Sequence, residues 1–446
     1  MHRRVVITGV GPVCAGGIGI DAFWASMCSG ASSISPIRSF DAAALGMAIG
    51  GEVEGLKIRD LVPKSYRKAT KVMARDIELA VAAAKLAAED AGLVTRGSED
   101  GSNGFAIDSA RTGCHIGAGQ ISADPAELGR ALSVSMGDDG IFDTQKWGTE
   151  GDGAGAMNNL PPLWLLKYLP NMLACHVTII HGLEGPSNTI MGAEAGALQS
   201  IGESMRVIER GSADLCFTGG AESRVNPMGL ARMRFAGRAS DVDAHADYGT
   251  VLKPFDSSSR GVIGEGGGML VVEDASHASD RGVSVYAEVA GFGCGMDTKP
   301  MTPGLAGVGD ASQDRGLTGA IKRAMKDADV SAEDIDAIVP MAAGEPALDC
   351  RELGSLRAAM GDVSGQPMIT VSPVAGNMLA GHGGLTTAVG AMAIREQKLP
   401  ARVHGGSPDG AIAGRSESVP AVLRNVLVCA GSYGGQAAAL VLRRAD

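Results

Sequence analysis

The stretch that most constrains this chain is a short extended run that passes through very small residues into a helical pattern. Residues 188–191 have the composition of a strand, and the five residues of 192–196, Gly-Ala-Glu-Ala-Gly, follow it with little side-chain bulk. Apolar residues then recur at helical spacing, at Ala197, Leu198, Ile201, Met205 and Ile208. The pattern predicts a strand that turns sharply into a helix. Enzymes use such a turn to hold a nucleophile at a buried helix N-terminus, where free backbone N–H groups favour negative charge.

Length and composition limit what surrounds this turn. A chain of 446 residues is long for a single core, so two domains or a duplicated fold are expected. The 65 glycines and the low aromatic content of 4% indicate tight turns and close backbone packing. The eight cysteines are scattered without a C-x-x-C pair. This argues against a disulfide framework or a zinc site and predicts a reduced, cytoplasmic setting.

Charge and hydropathy disfavour two classes of partner. The net charge of −11 makes nucleic acid an unfavourable partner. The sequence has no apolar run long enough to cross a bilayer, and it enters a strand directly without the pattern of a signal peptide. We therefore expect a soluble cytoplasmic protein that binds neither nucleic acid nor membrane.

Strand and helix patterns alternate along the whole chain, in two comparable halves at residues 1–275 and 276–446. Strands are predicted at residues 3–8, 112–116, 188–191, 214–218, 269–273, 283–290, 335–341, 422–429 and 437–442. Helices are predicted at residues 21–28, 66–91, 317–328 and 383–397, and Ser331 with Asp334 predicts a helix cap. Such alternation is typical of an α/β fold with mostly parallel sheets.

Three segments between these elements have a distinctive composition. Residues 96–111 are predicted to be a loop, and the Gly- and Asp-rich residues 138–159 a surface insertion, after which residues 160–174 resume a buried pattern. Lysines and arginines cluster at the start of the 66–91 helix, at Lys64, Arg67, Lys68, Lys71 and Arg75. A solvated face is the simpler interpretation of this cluster, and a docking patch for an acidic carrier protein is the alternative.

Several motifs together resemble the β-ketoacyl-ACP synthases, or ketosynthases, over nearly the whole chain. They are R-R-V-V-I-T-G-V-G-P at the start, A-D-L-C-F-T-G-G-A-E at 213–222, K-P-F-D and G-E-G within 253–266, Asp349-x-x-Glu352, and the helix that ends at Pro400. The resemblance implies a thiolase-type five-layer αβαβα sandwich, built from two related halves and normally dimeric.

The same resemblance places the family's catalytic side chains on residues that cannot replace them. The nucleophilic cysteine falls on Glu194, the first histidine on Met341 and the second on Asn377. The lysine has no counterpart in residues 372–375, and the threonines that would bind the pantetheine arm fall on Ala343 and Glu345. The C-terminal oxyanion element is shortened to Ser-Tyr-Gly-Gly at 432–435. His382 lies one helical turn beyond the second histidine position and is predicted to be a packed or capping residue.

These exchanges remove the condensation chemistry. A carboxylate cannot accept an acyl chain as a thiolate does. Neither Met341 nor Asn377 can act as an imidazolium or general acid towards a developing enolate. We therefore predict that none of the catalytic residues is intact, and that the chain holds no metal and no cofactor of its own.

The resemblance is nearest to the chain-length factors, the ketosynthase β subunits that lack the cysteine and usually carry glutamine there. It implies a non-catalytic subunit that pairs with an active ketosynthase as a heterodimer in a type II polyketide or fatty-acid-like pathway. Such a subunit shapes the acyl tunnel of the acyltransferase complex. Acyl carrier protein and its phosphopantetheine-bound substrates would then be met through the partner.

Two alternatives stay open at the level of sequence. One is a stand-alone enzyme that uses Glu194 as acid or base, as a malonyl decarboxylase or an acyltransferase. A glutamate carboxylate would repel a malonyl carboxylate, which argues against the decarboxylase, whereas Glu194 could instead brace the turn and the dimer interface. The other alternative is a decayed homodimer without a role in a pathway.

Overall fold

One long mixed sheet organises the molecule. The structure, a computed structural model, describes residues 3–98, 104–148, 155–239, 242, 247–298, 312–402 and 414–445. Nine strands form the sheet's continuous path: β1 Val5–Cys14, β2 Thr112–Ala118, β3 Ser187–Ile190, β4 Leu215–Ser223, β5 Glu265–Asp274, β6 Ala287–Met296, β7 Ala337–Val339, β8 Asn425–Gly431 and β9 Gln436–Arg443. Their order across the sheet is β7-β8-β9-β6-β1-β5-β4-β2-β3. Strand β3 therefore forms one edge.

Helices cover this sheet on both faces. Those of ten residues or more are α1 Ile20–Ser29, α2 Arg75–Asp90, α3 Met172–His181, α4 Gly196–Glu209, α5 Arg315–Asp327, α6 Pro346–Met360 and α7 His382–Glu396. Shorter helices are Ile58–Leu61, Pro125–Ser133, Thr144–Trp147, Pro227–Phe235, Tyr248–Val251, Ala275–Arg281 and Ser372–Ala375. Short paired strands are Gly17–Ile18, Ser35–Pro36, Ile49–Gly50, Leu93–Val94, Phe105–Ala106, Lys398–Leu399 and Val419–Pro420.

The fold is the expected five-layer αβαβα sandwich of two related halves, in which the N-terminal and the C-terminal strands of the long sheet form the two β layers. Helices α2 and α3 pack outside the N-terminal strands. Helix α5 packs outside the C-terminal strands, and α6 packs against α5 and shares one apolar core with those strands. Helices α4 and α7 form the central layer, where Leu198, Ile201, Leu385 and Val389 are fully buried in one apolar core. Strands β1 and β6 join the halves through only two residue pairs. The predicted boundary between residues 275 and 276 stays a prediction.

The expectation of mostly parallel sheets was wrong. Within the described strands of the long sheet, only the pairs β2–β3, β2–β4 and β7–β8 are parallel, whereas β1, β5, β6 and β9 pair with their neighbours antiparallel. The pair β8 and β9 shows the reason, because only residues 432–435 separate them. A connection this short returns the chain antiparallel, while a parallel neighbour needs a long crossover.

Some element boundaries also differ from the sequence pattern. The helix predicted at 66–91 becomes regular only at Arg75, after short 3₁₀ turns. The buried pattern predicted for 160–174 was wrong in its first part, since Leu163 and Leu165 are 63% and 59% exposed. The cap formed by Ser331 and Asp334 is present. Residues 99–103 of the predicted loop and 149–154 of the predicted insertion lie outside the described residues.

Candidate active site

The strand-to-helix turn forms as the sequence predicts. Strand β3 ends at Ile190 and α4 begins at Gly196, with a single 3₁₀ turn between them. Close packing beneath the turn requires small residues, because a Cβ on Gly117 would lie 2.4 Å from the backbone nitrogen of Ala197. Glu194 lies in the turn and is fully buried. A carboxylate thus occupies the buried position at which enzymes with such a turn hold a nucleophile.

Glu194 pairs with a buried arginine that the sequence analysis did not identify. The Nη2 of Arg238 donates to Oε1 of Glu194 and, at 3.0 Å, to Oε1 of Glu345. The Nε of Arg238 donates to Oε2 of Glu345 at 3.2 Å. The side chain of Arg238 is only 8% exposed. These three residues form a buried ion cluster, which we call the Arg238 cluster.

Two further residues complete the surroundings of the Arg238 cluster. The amide Nδ2 of Asn377 donates to Oε1 of Glu345 at 3.2 Å. The ring of Tyr433 lies against the guanidinium of Arg238, with 4.4 Å between the guanidinium carbon and the ring centre. Glu194 and Asn377, the predicted positions of the nucleophile and the second histidine, are therefore joined through Arg238 and Glu345.

The carboxyl groups of the Arg238 cluster keep the guanidinium of Arg238 protonated. Burial raises the pKa of Glu345, and Arg238 partly offsets that rise. Burial opposes the charge of Arg238, but Glu194 and Glu345 outweigh it and raise the pKa of Arg238 above its ordinary value. Two carboxyl groups thus share one guanidinium in a site shielded from water. Breaking such a buried pair by removing one partner generally costs several kcal/mol, about 3–5.

Met341 makes no side-chain contact with the Arg238 cluster among the described hydrogen bonds and ion pairs. Its side chain is 3% exposed and belongs to the central apolar core. Its backbone N–H and that of Ala342 each donate to the carboxylate of Glu352, both at 2.8 Å. Burial raises the pKa of Glu352 to about 7. The predicted position of the first histidine is thus held by backbone contacts, with an apolar side chain.

A strained backbone accompanies each of the three predicted catalytic positions. Ala193 precedes Glu194, Ala342 follows Met341 and Leu379 lies two residues after Asn377, and all three have φ near 47°. This left-handed conformation costs non-glycine residues about 1–3 kcal/mol, and such residues concentrate at functional sites. Nearby hydrogen bonds hold two of them, since Glu352 accepts from Ala342 and Asn377 Oδ1 accepts from Leu379 N–H at 2.9 Å.

A second group of buried carboxyls lies beside the turn. Glu222 accepts from the backbone N–H of Ala380 at 2.9 Å and pairs with Arg224. Asp76 accepts from the backbone N–H of Ser223 at 3.1 Å. Burial and the neighbouring Glu222 raise the pKa of Asp76 to about 7. Asp76 also lines a cavity of about 830 Å³ whose walls include none of the three predicted catalytic positions.

His382 is packed, as the sequence predicts. It is the first residue of α7, is 1% exposed, and burial lowers its pKa to about 4. Its imidazole is therefore neutral at neutral pH. The described residues contain no group of His, Cys, Asp or Glu side chains arranged to hold a metal ion. Within the same part of the chain, no helix is long and apolar enough to span a membrane.

Arg238 could not be predicted from the sequence, because burial of a charged side chain leaves no local pattern. Arg238 follows the helix Pro227–Phe235, in a segment without strong periodicity. The available signal was indirect: a buried glutamate at the turn requires a cation nearby. The placement of Glu345 in the pantetheine region stays a prediction, and its link to Glu194 through one arginine was not predicted.

Matches to protein-family models show the family to which the chain belongs. The family model described as "Beta-ketoacyl synthase, N-terminal domain" matches residues 2–278, more than half of the chain. The chain belongs to the β-ketoacyl synthase family. The model described as "Beta-ketoacyl synthase, C-terminal domain" matches residues 286–405 of this ketosynthase-like protein.

Relatives of this ketosynthase-like protein include both synthases and β subunits. It is 28% identical to 3-oxoacyl-[acyl-carrier-protein] synthase 2 of Vibrio cholerae, over 99% of each chain. It is 30% identical to the ketoacyl synthase beta subunit of the tetracenomycin polyketide synthase of Streptomyces glaucescens, over 99% of this chain and 98% of that protein. The solved structure of the ishigamide ketosynthase/chain length factor covers all of both chains, with a TM-score of 0.81 and 24% identity. That structural likeness shows the thiolase-type fold.

Proposed function

We propose that this chain is a non-catalytic ketosynthase-like subunit, a chain-length factor. It pairs with an active β-ketoacyl-ACP synthase in a type II polyketide or fatty-acid-like pathway and shapes the partner's acyl tunnel. The observation that carries the proposal is the Arg238 cluster. Glu194, on which the resemblance places the family's nucleophile, is a buried carboxylate already bound to an arginine. The relative named as a β subunit supports the same assignment.

An uncovered edge supports a partner on one side of the molecule. Strand β3 pairs only with β2 among the described strands. The backbone N–H of Thr189 donates to Oδ1 of the neighbouring Asn188 rather than to another strand. Of the sixteen large apolar side chains that are exposed among the described residues, ten lie between residues 132 and 191: Leu132, Val134, Met136, Ile141, Phe142, Met157, Leu163, Leu165, Ile179 and Met191. Met191 directly follows this free edge, and Ile179 lies on α3, which packs against β3. Their exposed apolar side chains beside a free edge favour burial against another subunit.

A carrier protein is the second proposed partner. Lys57, Arg59, Lys64, Lys68 and Lys71 are all exposed, and none of them makes an ion pair within the described residues. This basic segment, residues 57–71, contrasts with the net charge of −11. Charge complementarity fits an acidic carrier protein delivered to the cytoplasmic complex.

The stand-alone enzyme receives less support. Glu194 is fully buried and its Oε1 is bound to Arg238, so the carboxylate is poorly placed to exchange protons with a substrate. Neither Arg238 nor Asn377 supplies a group that changes its protonation near neutral pH. The geometry therefore favours the subunit over a malonyl decarboxylase or an acyltransferase.

Co-expression with a cysteine-bearing ketosynthase tests the proposal. We expect the two chains to co-purify as a heterodimer, and the pair to make full-length product from malonyl-ACP. Met191→Asp places a charge at the edge of the proposed interface, where Met191 is 54% exposed, and should weaken pairing at least about tenfold. Met296→Asp is the matched control, because Met296 is 57% exposed on the other half and should leave pairing unchanged.

Two results would overturn the subunit assignment. The first is a ketosynthase that gives the same product length and rate without this chain. The second is condensation by this chain alone. Equal weakening of pairing by Met191→Asp and Met296→Asp would show that the β3 edge is not the specific interface. Co-purification of the wild-type chain with the ketosynthase would still establish that the two proteins pair.

A further inference from the structure

The Arg238 cluster has the composition of a binding site for carboxylates. The side chain of Arg238 is only 8% exposed, and Tyr433 covers one face of its guanidinium. We call the space around this guanidinium, which Glu194 and Glu345 occupy, the pocket around Arg238. Arg238 uses Nε and Nη2 to hold both oxygens of Glu345, and the same Nη2 reaches Glu194. A planar, buried guanidinium with an aromatic cover is a common way to bind a carboxylate group.

The way Glu194 occupies this pocket indicates attraction by charge. Its Oε1 contacts Arg238, but its Oε2 is buried and has no hydrogen-bond donor within the described residues. A side chain fixed by a full set of hydrogen bonds would leave no such oxygen. Glu194 therefore resembles a carboxylate ligand that the protein backbone tethers to the site. A free carboxylate that contacts Arg238 in the same way would replace all of its side-chain hydrogen bonds.

We propose that the pocket around Arg238 is a carboxylate-binding site that this chain fills with its own Glu194 and Glu345 side chains. External carboxylates, including acyl groups that end in a carboxylate, are excluded from it for that reason. The proposal concerns only this chain's pocket and holds whether or not the chain pairs with a catalytic subunit.

Replacing the internal ligand by a free one tests the proposal. Glu194→Ala removes the carboxylate and one methylene group, which together have the size of acetate. Melting temperatures of the full chain are measured with acetate from about 1 to about 100 mM at constant ionic strength. We expect a saturable rise in Tm of at least about 2 °C in the variant and none in the wild type.

Three controls separate binding at Arg238 from general salt effects. Acetamide has the shape of acetate without its charge and should give no shift. Glu194→Ala combined with Arg238→Met keeps the volume near the pocket but removes the guanidinium, and should not respond to acetate. Glu345→Ala opens the other carboxylate position and should respond as Glu194→Ala does.

The proposal fails if acetate leaves the Tm of both alanine variants unchanged. It also fails if the Arg238→Met double variant or the wild type shows the same rise. If neither alanine variant folds alone, acetate added during expression and refolding should restore soluble protein, and its failure to do so counts equally against the site.

Discussion

Glu194 combines a position suited to a nucleophile with the contacts of a structural ion pair. It sits in the turn before α4, where backbone N–H groups favour negative charge, yet its charge is compensated by Arg238. At this position, a cysteine would give a reactive thiol, whereas glutamate gives a buried ion pair. The effect of this difference can be tested by replacing Glu194 with cysteine.

Restoring a cysteine at position 194 should not restore condensation. Glu194→Cys supplies a thiol, but Met341 and Asn377 still provide no imidazole for the developing enolate. Catalytic groups act as a unit, so repair of one member should leave the rate at least about 10³-fold below that of a cysteine-bearing homologue. The assay follows turnover of malonyl-ACP to a β-ketoacyl product. Turnover near the homologue's rate would show that another residue, with His382 as the nearest candidate, does the work of the histidines.

Asp76 predicts a pH dependence of stability. Its pKa is raised from 3.8 to about 7 in the folded chain, by burial and then by Glu222. The folded state therefore holds the proton more tightly than the unfolded state. The resulting stabilisation is complete below about pH 3.8 and is lost as the pH rises through 7.

The variant Asp76→Asn should remove that dependence. The amide keeps an oxygen for the Ser223 N–H but cannot ionise, so the variant should be more stable than the wild type at alkaline pH, by about 1–3 kcal/mol. Tm measured from about pH 4.5 to about pH 8.5 checks the slope. Asp60→Asn, at an exposed position, serves as the control. Parallel curves for Asp76→Asn and the wild type would contradict the assignment.

At the scale of elements, the strand-to-helix turn illustrates what sequence can determine. Spacing and residue size predicted β3, the turn and α4 to within a few residues, because those properties are local. Sheet direction was mispredicted, since pairing depends on which strands meet across the whole chain. The contact between Glu345 and Arg238 spans 107 residues, and no local periodicity encodes it.

The strain in the turn leads to a prediction for the element itself. Ala193 has φ near 47°, so Ala193→Gly should relieve strain and change stability by between zero and about +1 kcal/mol. Ala358→Gly is the comparison, because Ala358 is exposed in α6 and the same substitution in a regular helix should cost about 1 kcal/mol. Thermal or denaturant unfolding of both variants decides it. Equal losses would mean that the turn is not strained at Ala193.

At the scale of the whole molecule, charge is distributed unevenly. The chain carries −11 overall, yet residues 57–71 expose five cations that make no ion pair within the described residues. The sequence alone left a solvated face and a docking patch as alternatives for the cluster of Lys64, Arg67, Lys68, Lys71 and Arg75. Arg75 pairs with Glu78 and Glu265 and is therefore not counted among the five exposed cations. Fields from such a patch extend about 10 Å at 0.1 M salt, which is enough to steer an acidic carrier protein.

Charge reversal within the basic segment separates these alternatives. Lys64→Glu with Lys68→Glu should weaken binding of acyl carrier protein to the heterodimer about tenfold at low salt, and the difference should vanish at high salt. Lys322→Glu with Lys326→Glu is the matched control, since these lysines are exposed four residues apart on α5. Both double variants change the net charge from −11 by the same four units, so any general repulsion is equal in the two. Weakening by the first pair alone identifies residues 57–71 as a docking surface, equal weakening by both pairs reduces the effect to net charge, and unchanged binding leaves the segment as a solvated face.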